Sequence, residues 1–594
     1  MRRSRLLLPF FLWLVALANA DEAVRYTISL ERTDEHIAHV TMVLPAGPAE
    51  RTINLPVWNA LYQVRDFSQY VRNVHAFSSD KQPLTIRKAA KSTWELAGGA
   101  GGATLEYDVV LEMPGSFGAQ LNRDHAFLNL AMVLMFTPDT RGSPVEVRFT
   151  GVNAKHRVAT SLPGADGVYR AEDYDHLVDS PVEIGPIQYT NFKSGNATYH
   201  VAVHAPANID MDDLAKLLKR IVDAGVWYMQ DAPFHDYTFL YHFPERTSGG
   251  GMEHAYSTAI DYVLAGYNTN KRGWASLSAH EFFHLWNVKR IRPSGLEPTD
   301  YMQEDYTDAL WWSEGVTSTV SEHMLIRAGL MKEDDYLERL AAEISDLENR
   351  PAKLNQSAAE SSLETWLDKY PAYRLPERSV SYYNKGEILG VLLDLQIREA
   401  TGNRKSLRDL FTWLNAQAKR GGTFNNSDGL REAAEAVSGG DFKQFFAAYV
   451  MGTQPLPYER LFATVGLRLE KQARVVADAG FVATRNFDQP PVVASVGTEA
   501  ARAGVEIGDT VLAINGDRVS GDVEDRVERL SIGSTTRIRL SGRRGTREVK
   551  VKITGREIGS YRFRDVANVT ARQKARRQSW LMSETEAAAK AAAR

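Results

Sequence analysis

The sequence predicts a multidomain α+β protein, and three changes of pattern along its 594 residues carry that prediction. Short alternating apolar and polar runs fill the chain to about residue 190. Mixed strand and helix patterns follow and become helical almost to residue 452. Short β runs return from about residue 467, so two β-rich parts flank a mixed and then helical middle.

Before the first β run, Arg2, Arg3 and Arg5 precede an apolar stretch from Leu6 to Leu17 and the small residues Ala18-Asn19-Ala20. This order reads as a secretory signal peptide over 1–20. The apolar stretch is too short for a bilayer span, which needs about twenty residues, so no stable membrane span is expected once the leader is cleaved. The expected location is outside the cytoplasm, in a bacterial periplasm. Composition agrees with a folded protein, with 44% hydrophobic and 24% charged residues and a net charge of −4. An acidic balance argues against nucleic acid as a partner. With no cysteine at all, the chain has no disulfide, no thiolate ligand and no thiol nucleophile.

The N-terminal part, 21–190, alternates in segments such as Tyr26 to Leu30, Leu105 to Leu111 and Val145 to Phe149, which predicts a β-sandwich-like domain. In the middle part, 191–455, Ala197 to His204 and Tyr237 to Phe243 read as strands around an amphipathic helix with Leu214, Leu217, Leu218, Ile221 and Val222 on one face. Further helices follow, such as the one carrying Tyr336, Leu337, Leu340, Ile344 and Leu347. Pro455 and Pro457 mark a linker. The third part, 463–557, carries Val492 to Val496, a compact helical piece near Ala500 to Ala503, the strand Val511 to Ile514 and the hairpin signal Asn515-Gly516. The tail, 558–594, is basic and then alanine-rich, and reads as a solvated helix or a frayed end.

The chemistry concentrates in His280-Glu281-Phe282-Phe283-His284, an H-E-x-x-H array in a segment from Trp274 to Arg290 without proline or glycine. On a helix, residues four apart share a face, so both imidazoles can grip one metal ion with Glu281 beside it. A zinc site needs a third ligand and a position open to water. Downstream acids are Glu297, Glu304, Asp305, Asp308, Glu314 and Glu322. Glu297 sits in a loop near Gly295 and Pro298, and Glu304 has a plausible spacing. Glu314 lies in the apolar run Leu310-Trp311-Trp312-Ser313-Glu314-Gly315-Val316-Thr317, where a buried carboxylate requires a compensating cation, and it is the favoured ligand. One Zn2+ per chain is the expected cofactor, although donor set alone does not separate it from other divalent ions. Glu281 is then the general base toward a metal-activated water that attacks a scissile carbonyl.

H-E-x-x-H followed by W-x-x-E-G-x-T resembles the gluzincin metallopeptidases, and His284-Leu285-Trp286-Asn287-Val288-Lys289-Arg290-Ile291-Arg292-Pro293 is similar to the glycyl aminopeptidase family within that group. The resemblance implies a thermolysin-like catalytic domain, with Glu314 as third ligand, and peptide substrates with a small first residue such as Gly or Ala. Upstream, Ser248-Gly249-Gly250-Gly251-Met252-Glu253-His254 is similar to the G-x-M-E-N element, in which the glutamate binds the substrate's free amine. This implies a substrate-binding segment of Gly250, Gly251, Met252, Glu253 and His254, with Glu253 as amine anchor. His254 departs from the Asn of most gluzincins but agrees with the glycyl aminopeptidases. Ser381-Tyr382-Tyr383-Asn384-Lys385-Gly386 resembles the Y-E-K-G element, whose tyrosine stabilises the oxyanion, and the matching residue is Tyr383, with Tyr382 as the alternative. Asn384 replaces the acid of that element.

The third part looks like a PDZ domain, which would take a peptide or protein C-terminus as an added strand, with a carboxylate loop near Asp478 to Phe481. The expected function is hydrolysis of the N-terminal peptide bond by a zinc aminopeptidase. A zinc endopeptidase, which has no use for Glu253, and a non-catalytic PDZ peptide-binding scaffold are the alternatives.

Overall fold

The computed structural model describes residues 23–59, 62–245, 250–367, 376–484, 490–519 and 522–585. The expected signal peptide, Ser248 and Gly249 lie outside these residues. Among the described residues no helix is long and apolar enough to cross a membrane.

The N-terminal part is a β-rich domain. Val24–Arg32, Ala103–Val110 and Val145–Thr150 lie in a seven-stranded sheet, and sheets of three and four strands pack with it around one apolar core. Alternation drives this packing: in Val24–Arg32 every second residue from Val24 to Leu30 is buried.

The middle part begins with a five-stranded sheet in the order Gln188–Ser194, Ala197–His204, Asp236–His242, Ser257–Asp261 and Gly250–Glu253. The three central strands are parallel and the last is an antiparallel edge. The helix Met211–Met229 crosses over between the first two parallel strands, as a parallel pair requires. The expected boundary at residue 190 therefore falls inside a strand. The motif helix, Lys271–Phe283, packs on that crossover helix, anchored by Phe282, Phe283, Leu285 and Trp286, none of which reaches solvent. It ends earlier than the sequence suggests: His284 is its C-cap, and a series of turns carries the chain onward to Arg290.

The C-terminal part corrects two expectations. Leu467–Asp478 and Thr554–Asp565 pair along their full length as an antiparallel ribbon, and the small β module is carried between them. The boundary at 557 thus cuts a strand. The described part of the tail, which stops at residue 585 before the alanine-rich end, is not solvated: after the ribbon, helix Ala571–Leu581 returns to the catalytic core, where Trp580 is fully buried against His323, Tyr336 and Phe462. Arg577 ties the same helix to the carbonyls of Val465 and Gly466 and to Asp565. Composition misled because only the face bearing Trp580 and Leu581 is apolar, while the other face is basic. The core of the middle part accordingly extends past Pro457 to Leu461, Phe462 and Leu467 and takes back Trp580 and Leu581.

Trp580→Ala should lower the unfolding free energy by about 3–5 kcal/mol, the range for deleting a buried aromatic side chain. Urea denaturation followed by circular dichroism measures it, and a change below about 0.5 kcal/mol would restore the solvated tail.

Candidate active site

His280 and His284 occupy the last turn of the motif helix, so their rings leave the same face and meet, with the two Nε2 atoms 2.9 Å apart. Each ring is oriented through its other nitrogen. His284 Nδ1 donates to the carbonyl of Asn287 at 2.6 Å, and His280 Nδ1 lies 3.2 Å from the Ser318 hydroxyl. The Nε2 lone pairs are thereby directed at a common point.

Glu314 reaches that point from a later element. Trp311–Val316 forms a π-helical turn that continues as helix Thr317–Arg327, a widening often found where a side chain must be re-aimed. Glu314 Oε2 lies 3.4 Å from His280 Nε2 and 3.3 Å from His284 Nε2. Donor atoms of a tetrahedral site with bonds of about 2.05 Å lie about 3.3 Å apart, so the three atoms stand near the corners a zinc ion requires. Buried Glu314 Oε1 and Glu281 Oε2 have no hydrogen-bond partner among the described residues, which is the signature of a charge awaiting a cation or substrate. Glu304 is left in an irregular segment outside this group.

Backbone contact fixes the other side. Helix Tyr382–Ala400 crosses the π turn so closely that a Cβ on Gly315 would fall 2.4 Å from Gly386 Cα, and one on Gly386 would fall 2.3 Å from the Trp311 carbonyl oxygen. This approach sets Tyr383 in the cleft, its ring 6.2 Å from that of His280, while Tyr382 is buried behind it with its hydroxyl 3.2 Å from that of Thr365. The two adjacent tyrosines are thus told apart by direction.

The edge strand Gly250–Glu253 forms the floor. Gly250 has a φ of +90°, and Gly251 lies so near Glu281 that a Cβ there would sit 2.3 Å from its carboxyl group. Strand alternation sends Gly251 and Glu253 toward the cleft. Met252 and His254 point the other way, which departs from the substrate-binding segment the resemblance implies. Met252 Sδ accepts from Asn59 and Asn129 of the N-terminal domain, and His254 Nδ1 meets Asp179 at 3.1 Å. Neither lines the cleft.

That cleft encloses about 380 Å³ and is also lined by Phe117 of the N-terminal domain and by Ser276, Glu322 and Arg339. Sequence reasoning weighed Glu322 only as one of several downstream acids and did not bring the other three to the site. The place of Glu322 in a helix that continues directly from the Glu314 turn is the signal that could have brought it to the site. Phe117 and Arg339 have no local signal, because only packing of distant segments brings them in.

The charges are strongly interdependent. Burial and the neighbouring acids push the Glu281 carboxyl well above its usual range, and burial likewise raises Glu253. Glu314 is held down despite its burial, because His284 and His280 face it. Burial works against a charge on His284, yet Glu314, Glu253 and Glu281 push it up to about 10, whereas burial and His284 hold His280 low. Three buried acids thus converge on one strongly attracted positive charge, a role that either a proton or a metal cation fills.

A family model described as M61 glycyl aminopeptidase matches residues 273–389, the stretch that runs from the motif helix through Tyr383. Another, the Peptidase M61 N-terminal domain, matches residues 25–186. The protein is a hydrolase of the aminopeptidase class. This aminopeptidase is similar in structure to an aminopeptidase N family protein from Idiomarina loihiensis, at 25% identity and a TM-score of 0.79, covering 94% of this chain and 100% of that one. An M1 zinc metallopeptidase variant from Deinococcus radiodurans bound to a Tyr-Ser-Ala substrate also matches, at 15% identity and a TM-score of 0.45, over 73% of this chain and 94% of that one. None of the curated proteins matches the sequence.

Two outcomes test the geometry. Gly251→Ala should displace Glu281 and lower kcat about 100-fold with bound metal unchanged, measured by steady-state kinetics beside metal analysis. Asp179, which supports His254, is held below its ordinary value of 3.8 by Lys289 and His254 in spite of burial. Its stabilisation is therefore present above about pH 4 and lost on acidification through the lower folded value. Asp179→Asn should cost about 3 kcal/mol at pH 7 and flatten the acid limb of the stability profile in denaturation experiments.

Proposed function

We propose that the chain is a zinc aminopeptidase that removes small N-terminal residues, Gly or Ala, from peptides. The observation that carries this reading is the position of Glu253: buried, on an edge strand, and in one group with Glu281 and His284 whose ligand atoms lie within 4.8 Å of one another. A carboxylate there attracts an ammonium group and so favours a free amino terminus over an internal peptide bond. The preference for a small first residue rests on the description of the family model.

In this reading His280 Nε2, His284 Nε2 and Glu314 hold one Zn2+, which supplies a Lewis acid and lowers the pKa of water. Each other group has its own task. The backbone of Gly250 and Gly251 approaches the substrate closely enough to pair with it as an added strand, since no side chain intervenes. Glu253 binds the α-ammonium. Glu281, raised in proton affinity by burial, takes the proton of the attacking water and delivers it to the leaving amine. The Tyr383 hydroxyl donates to the oxyanion as the carbonyl becomes tetrahedral. Phe117 closes the cleft from the N-terminal domain and limits water.

The C-terminal module is proposed to be a PDZ-type domain that receives a peptide or a protein C-terminus. Its Asn515-Gly516 turn has both residues at positive φ, as a type I′ hairpin requires. Helix Val523–Glu528 runs beside strand Phe481–Thr484, where Glu524 accepts the amide of Ala483 at 2.9 Å, so an incoming strand would displace that carboxylate. The basic-apolar leader is proposed to direct export to the periplasm.

Acetylating the amino terminus of an Ala- or Gly-initiated peptide should abolish its cleavage. Undiminished cleavage would establish an endopeptidase instead. Glu281→Gln should retain zinc while lowering kcat by at least about 1,000-fold, and Tyr383→Phe should lower kcat about 100-fold with little change in KM. Zinc bound by wild-type protein without hydrolysis of any free-amine peptide in a library would sink the enzymatic reading.

A further inference from the structure

Outside the cleft, three imidazoles from two domains meet at the C-terminal ends of the parallel strands. His204 and His242 are register partners on neighbouring strands, and Asp261 is the register partner of His242 on the next. Two residues earlier on each strand, and therefore on the same face, stand Ala202, Leu240 and Ala259, which pack with Phe127 and Ala159 of the N-terminal domain as a small apolar cluster. The histidine row thus sits where that dry interdomain seam ends. Opposite it is His125, directly before strand Ala126–Leu128 of the N-terminal domain.

The ring centroids lie 3.9 Å apart for His125 and His204, 5.0 Å for His125 and His242, and 5.1 Å for His204 and His242. One ligand nitrogen from each ring lies within 4.8 Å of the other two. Two rings already carry the outer carboxylate that orients metal-bound imidazoles: Glu183 on His125 Nε2, and Asp261 on His242 Nδ1 at 2.9 Å. His204 Nδ1 is buried without a hydrogen-bond partner among the described residues, a cost that a ligand removes. None of the three histidines lines the catalytic cleft.

We propose that His125, His204 and His242 form a second metal site that binds a divalent ion of the zinc class and clasps the N-terminal β domain to the catalytic sheet. Three neutral imidazoles suit zinc, cobalt, nickel or copper and do not suit calcium or magnesium. His125 and His204 stack with their planes 17° apart, so reaching the spacing of a tetrahedral site, about 3.3 Å, requires one ring to leave that stack by turning about its Cα–Cβ and Cβ–Cγ torsions. The partial exposure of His242 leaves the fourth position to water. This site is independent of the peptidase assignment, because it shares no ligand with the cleft.

The test uses full-length protein stripped of metal, reloaded with Zn2+ or Co2+ and desalted. Wild type should retain two equivalents by elemental analysis, and His204→Asn or His242→Asn should retain one. In a chain carrying His280→Ala and His284→Ala, one Co2+ with the visible absorption of a nitrogen-ligated ion should remain, and adding His204→Asn should remove it. No ion in the folded His280→Ala, His284→Ala chain, or an ion there that survives both His204→Asn and His242→Asn, would each overturn the site. Circular dichroism of every variant separates loss of the ion from loss of the fold.

Discussion

Gly315 and Gly386 meet with no side chain between them, and the carboxylate and tyrosine of the cleft take their positions from that contact. Glu314 stands on the π turn one residue before Gly315, and Tyr383 stands one helical turn before Gly386. Bringing the two backbones together therefore moves both functional groups toward the motif helix at once. Any side chain larger than hydrogen at either glycine would separate the helices and open the cleft on the side that faces the imidazoles. Gly251 applies the same device to the floor, where absence of a Cβ lets the edge strand lie against Glu281.

Charge is the second constraint. Glu253, Glu281, Glu314 and Glu322 are all buried around one cavity, with Arg339 and the imidazole of His284 as the positive groups beside them. Arg339 is already engaged by Glu387 and, at 3.4 Å, by Glu322, so it does not neutralise the acids nearest the histidines. Desolvated carboxylates without a partner are costly, and a divalent ion between the imidazoles together with an ammonium at Glu253 would satisfy both ends of the cluster.

The domains are tied together more firmly than a string of modules. Phe117 enters the catalytic cleft from the β-rich domain, Met252 points back from the catalytic edge strand to Asn59 and Asn129, and the apolar seam around Leu240 continues the contact. At the far end the ribbon Leu467–Asp478 with Thr554–Asp565 carries the small β module outward, and Trp580 returns to the core. The module therefore has both its ends fastened to the catalytic part.

Sequence by itself determined what depends on neighbours a few residues apart. The spacing of His280 and His284, the apolar faces of the helices around Leu214 and Leu340, the alternation of Val24–Arg32 and the Asn515-Gly516 turn are all local, set by the period of the backbone and by side-chain sterics. That Glu314 would lie beside the two imidazoles was legible for a similar reason, since an acid next to Trp311 and Trp312 in an apolar run requires a compensating charge. Tertiary structure alone decided which of Tyr382 and Tyr383 faces the cleft, that Met252 and His254 turn away from it, that Phe117 and Arg339 join it, and that His125 meets His204 and His242. Those outcomes depend on how distant segments pack, and no periodicity within one segment encodes the partner that it will meet.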